Sequence, residues 1–223
     1  MREPQYPRQA WGRGRGSFHR PEDDPPGTSR LFIAVPVEDS VRAAVGELMG
    51  RLAGEGASIQ ERAPGQPRWV RVEGLHLTLR FLGATPDARQ AELGAAVAAA
   101  ARDSSTFPVA LSGGGAFPNS QRPRVLWLGI EVGAPQLNSL AGRLNQQLTQ
   151  LGWAGDERPL QAHLTLARTD GVPGADDAAR RLIEAARDLR LSWTADRLVL
   201  YKSVLGHGPS RYEIVSEAPF ARE

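Results

Sequence analysis

The chain has 223 residues and is 41% hydrophobic, enough for one large domain or two small lobes around a core. With no cysteine it excludes disulfides, thiolate metal sites and a cysteine nucleophile, and it suits a reducing cytoplasm, where the protein is expected to reside. Net charge is only +2 although the sequence pI is about 9.5, and Lys202 is the only lysine, so the positive charge is arginine. Arginine grips phosphate bidentately, but a GC-rich gene also favours it, so the basic balance is weak evidence for nucleic acid. There is no N-terminal apolar stretch of the signal-peptide kind and no run near the ~18 residues of a membrane span, so neither secretion nor insertion is expected.

Residues 1–29 differ from the rest. They hold five prolines and the run Gly12-Arg13-Gly14-Arg15-Gly16, lack hydrophobic periodicity, and read as a disordered basic tail that can hold RNA loosely. Residues 30–223 read as a single bilobal domain. Within it, 30–36 (RLFIAVP) is a buried strand ended by proline. Val41, Val45, Leu48 and Leu52 recur at helical spacing, so 38–52 is predicted helical, with Asp39 or Ser40 near its cap. Residues 54–67 form a polar loop, and 68–72 and 76–82 are strand candidates. A second helix is expected over 86–101, with Pro86 in its first turn. Strands follow at 107–111 and 124–131, separated by the flexible loop 113–118 (GGGAFP). Leu137, Leu140, Leu144, Leu148 and Leu151 mark a helix over 135–151. A strand at 162–167, a helix over 175–189, and strands at 191–203 and 211–215 complete the chain, the last two split by a turn at 206–209. Strands and helices mix without strict alternation. The pattern predicts an α+β protein of two similar lobes, each a small, mostly antiparallel sheet backed by helices.

One tetrapeptide occurs twice: His76-Leu77-Thr78-Leu79 and His163-Leu164-Thr165-Leu166, in a chain with four histidines. In a strand, positions i and i+2 share a face. Each copy therefore presents an imidazole and a hydroxyl on one face and two leucines on the other. A single His-x-Thr-x is usually structural; two copies with the same apolar filler are a much stronger signal. Facing each other, they would form a cleft with two imidazoles whose unperturbed pKa, near 6.5, lets one be neutral and the other protonated. That is an acid–base pair for a small anion such as a phosphodiester, with the threonines donating to its oxygens. Alternation alone places Arg80, at i+4 from His76, on the cleft face and turns Arg168, at i+5 from His163, away unless the strand ends or bulges. Neither motif carries a carboxylate, so no metal site is expected. His19 in the tail and His207 in a turn read as incidental.

These residues resemble the two-histidine (2H) phosphoesterase superfamily, and within it the RNA 2′,3′-cyclic phosphodiesterases, also described as 2′-5′ RNA ligases. The likeness runs from about Arg30 to Val215 and rests on both motifs and their flanks: RWVRVEGLHLTLRFLG, GAFPNSQRPRVLWLGIE, RPLQAHLTLAR and LVLYKSVLGHGPSRYEIV. It implies a bilobal fold with both motifs lining a central cleft and helices outside. The reaction implied is cofactor-free, metal-independent hydrolysis of RNA 2′,3′-cyclic phosphate ends to 2′-phosphomonoesters, with 2′-5′ ligation as the reverse. The partner implied is RNA with such ends; no membrane is involved and a monomer is expected. Carried over by position, His76 and His163 form the acid–base pair, with His163 provisionally the base and His76 the acid. Thr78 and Thr165 hold phosphate oxygens, Arg168 contacts phosphate, and Arg80 is a second candidate for that contact. Phe32, Phe117, Trp127 and Tyr201 are candidates for holding a base. Two other readings are an RNA-end binding module without turnover and a relative acting on small cyclic nucleotides or 2′-5′ oligonucleotides.

Overall fold

The computed structural model describes residues 24–54, 67–155, 159–169, 174–204 and 209–222. The sequence readings for residues 1–23, most of the 54–67 loop, His19, His207 and the tip of the 206–209 turn lie outside these. Among the described residues no helix is long and apolar enough to cross a membrane.

The first strand, β1 (Thr28–Pro36), carries buried residues on both faces, as its unbroken apolar run requires. It starts before the expected boundary at residue 30, because Arg30 pairs with Asp24 (2.7 Å) and the Ser29 hydroxyl donates to Asp87 (2.5 Å), drawing residues 24–29 onto the fold. Next comes α1 (Asp39–Ala53), which buries Val41, Val45, Leu48, Met49 and Leu52, the stripe read from the sequence. The expected strand at 68–72 shrinks to β2 (Arg68–Trp69), because a 3₁₀ turn begins at Val72. After β3 (His76–Pro86) another 3₁₀ turn leads into α2 (Gln90–Arg102). Pro86 thus closes a strand opposite Thr28 and does not open the helix.

The triple glycine is not a loop. It lies inside β4 (Phe107–Phe117), which pairs with β5 (Val125–Val132). Gly113, at φ +69°, absorbs a β-bulge there. A Cβ on Gly115 would sit 2.3 Å from the Trp127 ring, so glycine is what lets that indole lie across the strand. Then follow α3 (Ala134–Gln150), β6 (His163–Arg168) and α4 (Ala175–Ala185). The single strand expected over 191–203 is two, β7 (Leu191–Ala195) and β8 (Arg197–Val204), which belong to different sheets. The last strand is β9 (Arg211–Pro219).

One sheet has the order β3-β1-β8-β9 and the other β2-β6-β5-β4-β7, and every named strand pair is antiparallel. Apart from β2, the two match strand for strand. The unit β1–α1–β3 corresponds to β5–α3–β6, so the two motif strands hold equivalent places. Helix α2 packs on β8 and β9, α4 on β4, and β3 lies against β6. The two-lobed α+β architecture expected from the sequence is the one observed. A continuous apolar core runs through both lobes and takes in Leu77, Leu79, Leu164 and Leu166. Burying those leucines points the alternate residues, His76, Thr78, His163 and Thr165, the other way.

Candidate active site

The cleft is built from the start of β3 and of β6. At each, the same local device fixes an imidazole. His76 Nδ1 donates to the Gly74 carbonyl at 2.6 Å, and His163 Nδ1 donates to the Gln161 carbonyl at 2.6 Å. A carbonyl oxygen only accepts, so in each neutral ring Nδ1 carries the proton and Nε2 keeps its lone pair. At His76 that lone pair accepts the Thr78 hydroxyl, with Nε2 and Oγ1 2.9 Å apart.

Register decides which arginine joins them. On β1, Phe32, Ala34 and Pro36 share a face, and they stand opposite Phe81, Thr78 and His76. Between Thr78 and Arg80 the ladder skips Leu79: a bulge. Past it, alternation is reversed, and Arg80 stands opposite the fully buried Ile33. Its guanidinium donates to the Ala154 carbonyl beyond α3. The expectation that Arg80 shares the histidine's face is corrected by that one extra residue. In β6 the same slip occurs at Leu166. Val125, Trp127 and Gly129 share a face of β5 and stand opposite Arg168, Thr165 and His163. The bulge therefore returns Arg168, which a regular strand would turn away, to the side of His163 and Thr165. Arg168 is exposed, and its charge acts on His76, His163 and Tyr212.

Both imidazoles are poor bases in this setting. Burial pushes the His76 pKa down to about 4; the bond to Gly74 opposes that fall, and the charges of His163 and Arg168 add to it. His163 is also lowered, by burial first and by Arg168 after it, against the opposing bond to Gln161. Near neutral pH both rings are therefore uncharged, and an arginine stands by with no carboxylate among the groups that shift them. Such a site invites an anion, which would restore the rings' affinity for protons.

Aromatic rings wall both histidines. Phe32 lies 4.7 Å from His76 and Tyr212 meets it edge-on at 5.1 Å, while Phe117 meets His163 edge-on at 5.0 Å. Of the four rings named as base candidates, Phe32 is 4% exposed and serves as packing behind His76. Tyr212 was missed by sequence reasoning, because nothing in a single strand of mixed residues marks it. Gly74 was missed too: a Cβ there would meet the Tyr212 ring at 2.8 Å, so glycine lets Tyr212 close over the residue whose carbonyl orients His76. Beside them is a recess of about 250 Å³ lined by Arg71, Glu73, Gly74, Ser210, Arg211 and Tyr212.

A fold of two matched sheets with a His-x-Thr-x strand in each defines a class. A model described as the 2′-5′ RNA ligase superfamily matches residues 36–207, and the chain belongs to that superfamily. Among similar proteins, the RNA 2′,3′-cyclic phosphodiesterase of Geobacillus stearothermophilus is 32% identical over 192 residues, 86% of this chain and 57% of that one. The protein of the same name from Thermotoga maritima is 28% identical over 191 residues, 86% of this chain and 95% of that one. The chain thus spans little more than half of the first relative and nearly all of the second. Among solved structures, TT0787 of Thermus thermophilus matches with a TM-score of 0.68 and 26% identity, over 87% of this chain and 99% of that one. E. coli LigT complexed with 3′-AMP matches with a TM-score of 0.65 and 25% identity, over 87% and 99% respectively.

Proposed function

We propose that this cleft hydrolyses the 2′,3′-cyclic phosphate at an RNA end to a 2′-phosphomonoester, in the cytoplasm, as a monomer and without a metal ion. The observation that carries the reading is the matched pair of imidazoles. Each is held through Nδ1 by a backbone carbonyl, each has a threonine two residues on, and Arg168 is delivered beside them by a bulge. The names of the Geobacillus and Thermotoga relatives support the same substrate.

In the proposed step, water attacks phosphorus in line with the ribose O3′. His163 Nε2 takes the water proton as the P–O bond forms. His76, protonated on Nε2, gives its proton to O3′ as the P–O3′ bond breaks, and the phosphate stays on O2′. Both roles need Nε2, the nitrogen that the backbone bonds leave available. The anionic diester raises both lowered pKa values on binding, so one ring can carry the proton that the other accepts. Once His76 is protonated, Nε2 no longer accepts from Thr78. The Thr78 hydroxyl then donates its hydrogen bond to a nonbridging phosphate oxygen instead, with Thr165 and Arg168 meeting charge from the other lobe. With a 5′-hydroxyl in place of the attacking water, the same step joins two ends: its oxygen bonds to phosphorus, the P–O3′ bond breaks with a proton from His76, and the product is a 2′-5′ diester.

The test is an assay with EDTA on a short RNA ending in a 2′,3′-cyclic phosphate, resolving 2′- from 3′-phosphate. Conversion to the 2′-phosphate is expected. Tight binding without conversion would leave a module that grips RNA ends, and a 3′-phosphate would mean the leaving oxygen is O2′.

A further inference from the structure

The proposed reaction leaves one hollow unused. The recess of about 250 Å³ beside His76 shares two walls with the active site. One is Gly74, whose carbonyl accepts from His76 Nδ1; the other is Tyr212, which meets the imidazole edge-on at 5.1 Å. The rest of its lining is polar: Arg71, Glu73, Ser210 and Arg211. The recess is smaller than the roughly 300–1,000 Å³ of sites that take a whole small-molecule ligand, so it suits a single group. Arg71 Nε donates to the Pro209 carbonyl at 3.0 Å, which ties the turn before β3 to the start of β9 and fixes the guanidinium at the recess. Arg211 opens β9 and is exposed. Two arginines thus stand against one exposed carboxylate, Glu73, and among the described residues neither arginine forms an ion pair with it or with any other carboxylate.

The direction of attack decides which anion reaches this recess. His76 gives its proton to O3′, so the ribose of the reacting nucleotide lies on the His76 side of phosphorus, in the lobe of β3 and β9. The strand continues from that ribose through O5′ to the next phosphate. We propose that the recess is a second phosphate site: Arg71 and Arg211 hold the phosphodiester one nucleotide upstream of the reacting end. A guanidinium presents paired N–H donors that match two phosphate oxygens, and it stays charged at any working pH. Ser210, in the same lining, carries a further donor. The reacting phosphate and its upstream neighbour are then gripped from adjoining hollows that share Gly74 and Tyr212. A mononucleotide without a 5′-phosphate fills only the first. The cleft therefore prefers the end of an RNA strand to a small cyclic nucleotide, and it does so by charge, whatever the sequence of the strand.

The proposal rests on the reading of the cleft as a site for RNA ends, and its test reads binding, not turnover. Calorimetry would use a 3′-5′-linked diadenosine ending in a 2′-phosphate, with either its natural phosphodiester link or an uncharged methylphosphonate one. The two ligands differ by one charge, at the upstream phosphate. A charge-assisted contact is worth about 10- to 100-fold in affinity. The wild-type protein is expected to prefer the natural link by about that factor at low salt, and the preference should shrink as salt rises. Arg71→Ala and Arg211→Ala should each remove most of the preference, and Arg211→Lys, which keeps the charge, should retain part of it. Arg211 is exposed, so its variants keep the fold whatever Arg71→Ala does. Equal affinities for the two ligands in the wild type, or a preference that survives either alanine variant, overturns the second site. Binding of neither ligand by the wild type overturns this site and the reading of the cleft together. An arginine-dependent preference with no turnover of the same dinucleotide carrying a 2′,3′-cyclic phosphate overturns the hydrolytic reading alone and leaves the second site standing.

Discussion

The two motif strands share four residues, the same pairing scheme and the same bulge, yet they end in opposite chemistry. Past the bulge, β6 delivers Arg168 and β3 delivers the aromatic Phe81. The strands behind them differ in the same sense. Opposite Arg168 stands the small apolar Val125, while opposite Phe81 stands Phe32, with Tyr201 one strand further. A duplicated scaffold thus keeps two imidazoles oriented through Nδ1 and diverges in the residue that follows the bulge, a guanidinium in one strand and an aromatic ring in the other. The lesson is that the bulge is part of the site. In regular register, with no bulge at Leu79 or Leu166, Arg168 and Phe81 would turn toward the core and Arg80 toward the cleft.

The comparison can be broken first at its shared part. His76→Ala and His163→Ala should each lower kcat by about 10² to 10⁴, measured on a cyclic-phosphate substrate, with circular dichroism unchanged. If one variant kept near wild-type turnover, the equivalence of the strands would be structural only. Next comes the part where the strands diverge. Arg168→Ala should cost about 10² to 10³ in kcat/KM, as for one lost donor to a developing oxyanion. Arg80→Ala, which loses its bond to the Ala154 carbonyl, should change kcat/KM little and lower the melting temperature instead. Reversed effects in these two variants would mean that β3 and β6 are in regular register in solution.

A smaller effect is expected in the pH profile. The active form has one ring protonated and the other neutral, so its population peaks between the two pKa values and falls on both sides. His76 is pulled to about 4 and His163 is lowered as well, so kcat/KM, which reports the free enzyme, should peak on the acid side of 6.5 and fall as pH rises through neutrality. The kcat optimum should lie higher, because the bound anion raises both rings; a kcat/KM maximum above pH 7 would contradict the burial argument. The same shift acts on stability. His76 is depressed in the fold, so the unfolded chain takes up a proton first as pH falls below 6.5, and stability is lost progressively down to about 4. In His76→Ala the melting temperature should vary less steeply with pH across that window. Smallest is Gly115→Ala, whose Cβ would meet the Trp127 ring at 2.3 Å. About 1–3 kcal/mol of stability should be lost on denaturant unfolding, as for other overpacked sites, with a modest loss of activity as the indole beside His163 shifts.

Much of this was legible in the sequence. Alternation in the two His-x-Thr-x units placed four side chains on one face and four leucines in the core, because a period of two leaves little choice once one face is buried. The helical stripes of α1 and α3 were equally clear. What failed, failed where tertiary packing overrides local pattern. Gly113–Gly115 read as a loop because glycine is a poor strand former; only the Trp127 ring and Leu182 of α4, both needing the room a Cβ would take, explain glycine inside β4. The division of 191–203 into strands of two sheets leaves only the polar pair Asp196-Arg197 as its mark. The bulges are the most instructive miss. In β6, Leu166 and Ala167 are consecutive and both buried, a break in alternation that marks the slip. In β3 the slip falls between Leu79 and Arg80, where an ordinary alternating strand would look the same.

The most direct measurement of the paired mechanism is a double-mutant cycle on the histidines, with kcat for wild type, His76→Ala, His163→Ala and the double variant on one cyclic-phosphate RNA. If the rings act as one acid–base pair, the double variant should be about as slow as the slower single one, because removing either partner already disables the unit. Losses that multiply would show two imidazoles acting independently, and the matched cleft would then not be the proton-transfer device proposed for it.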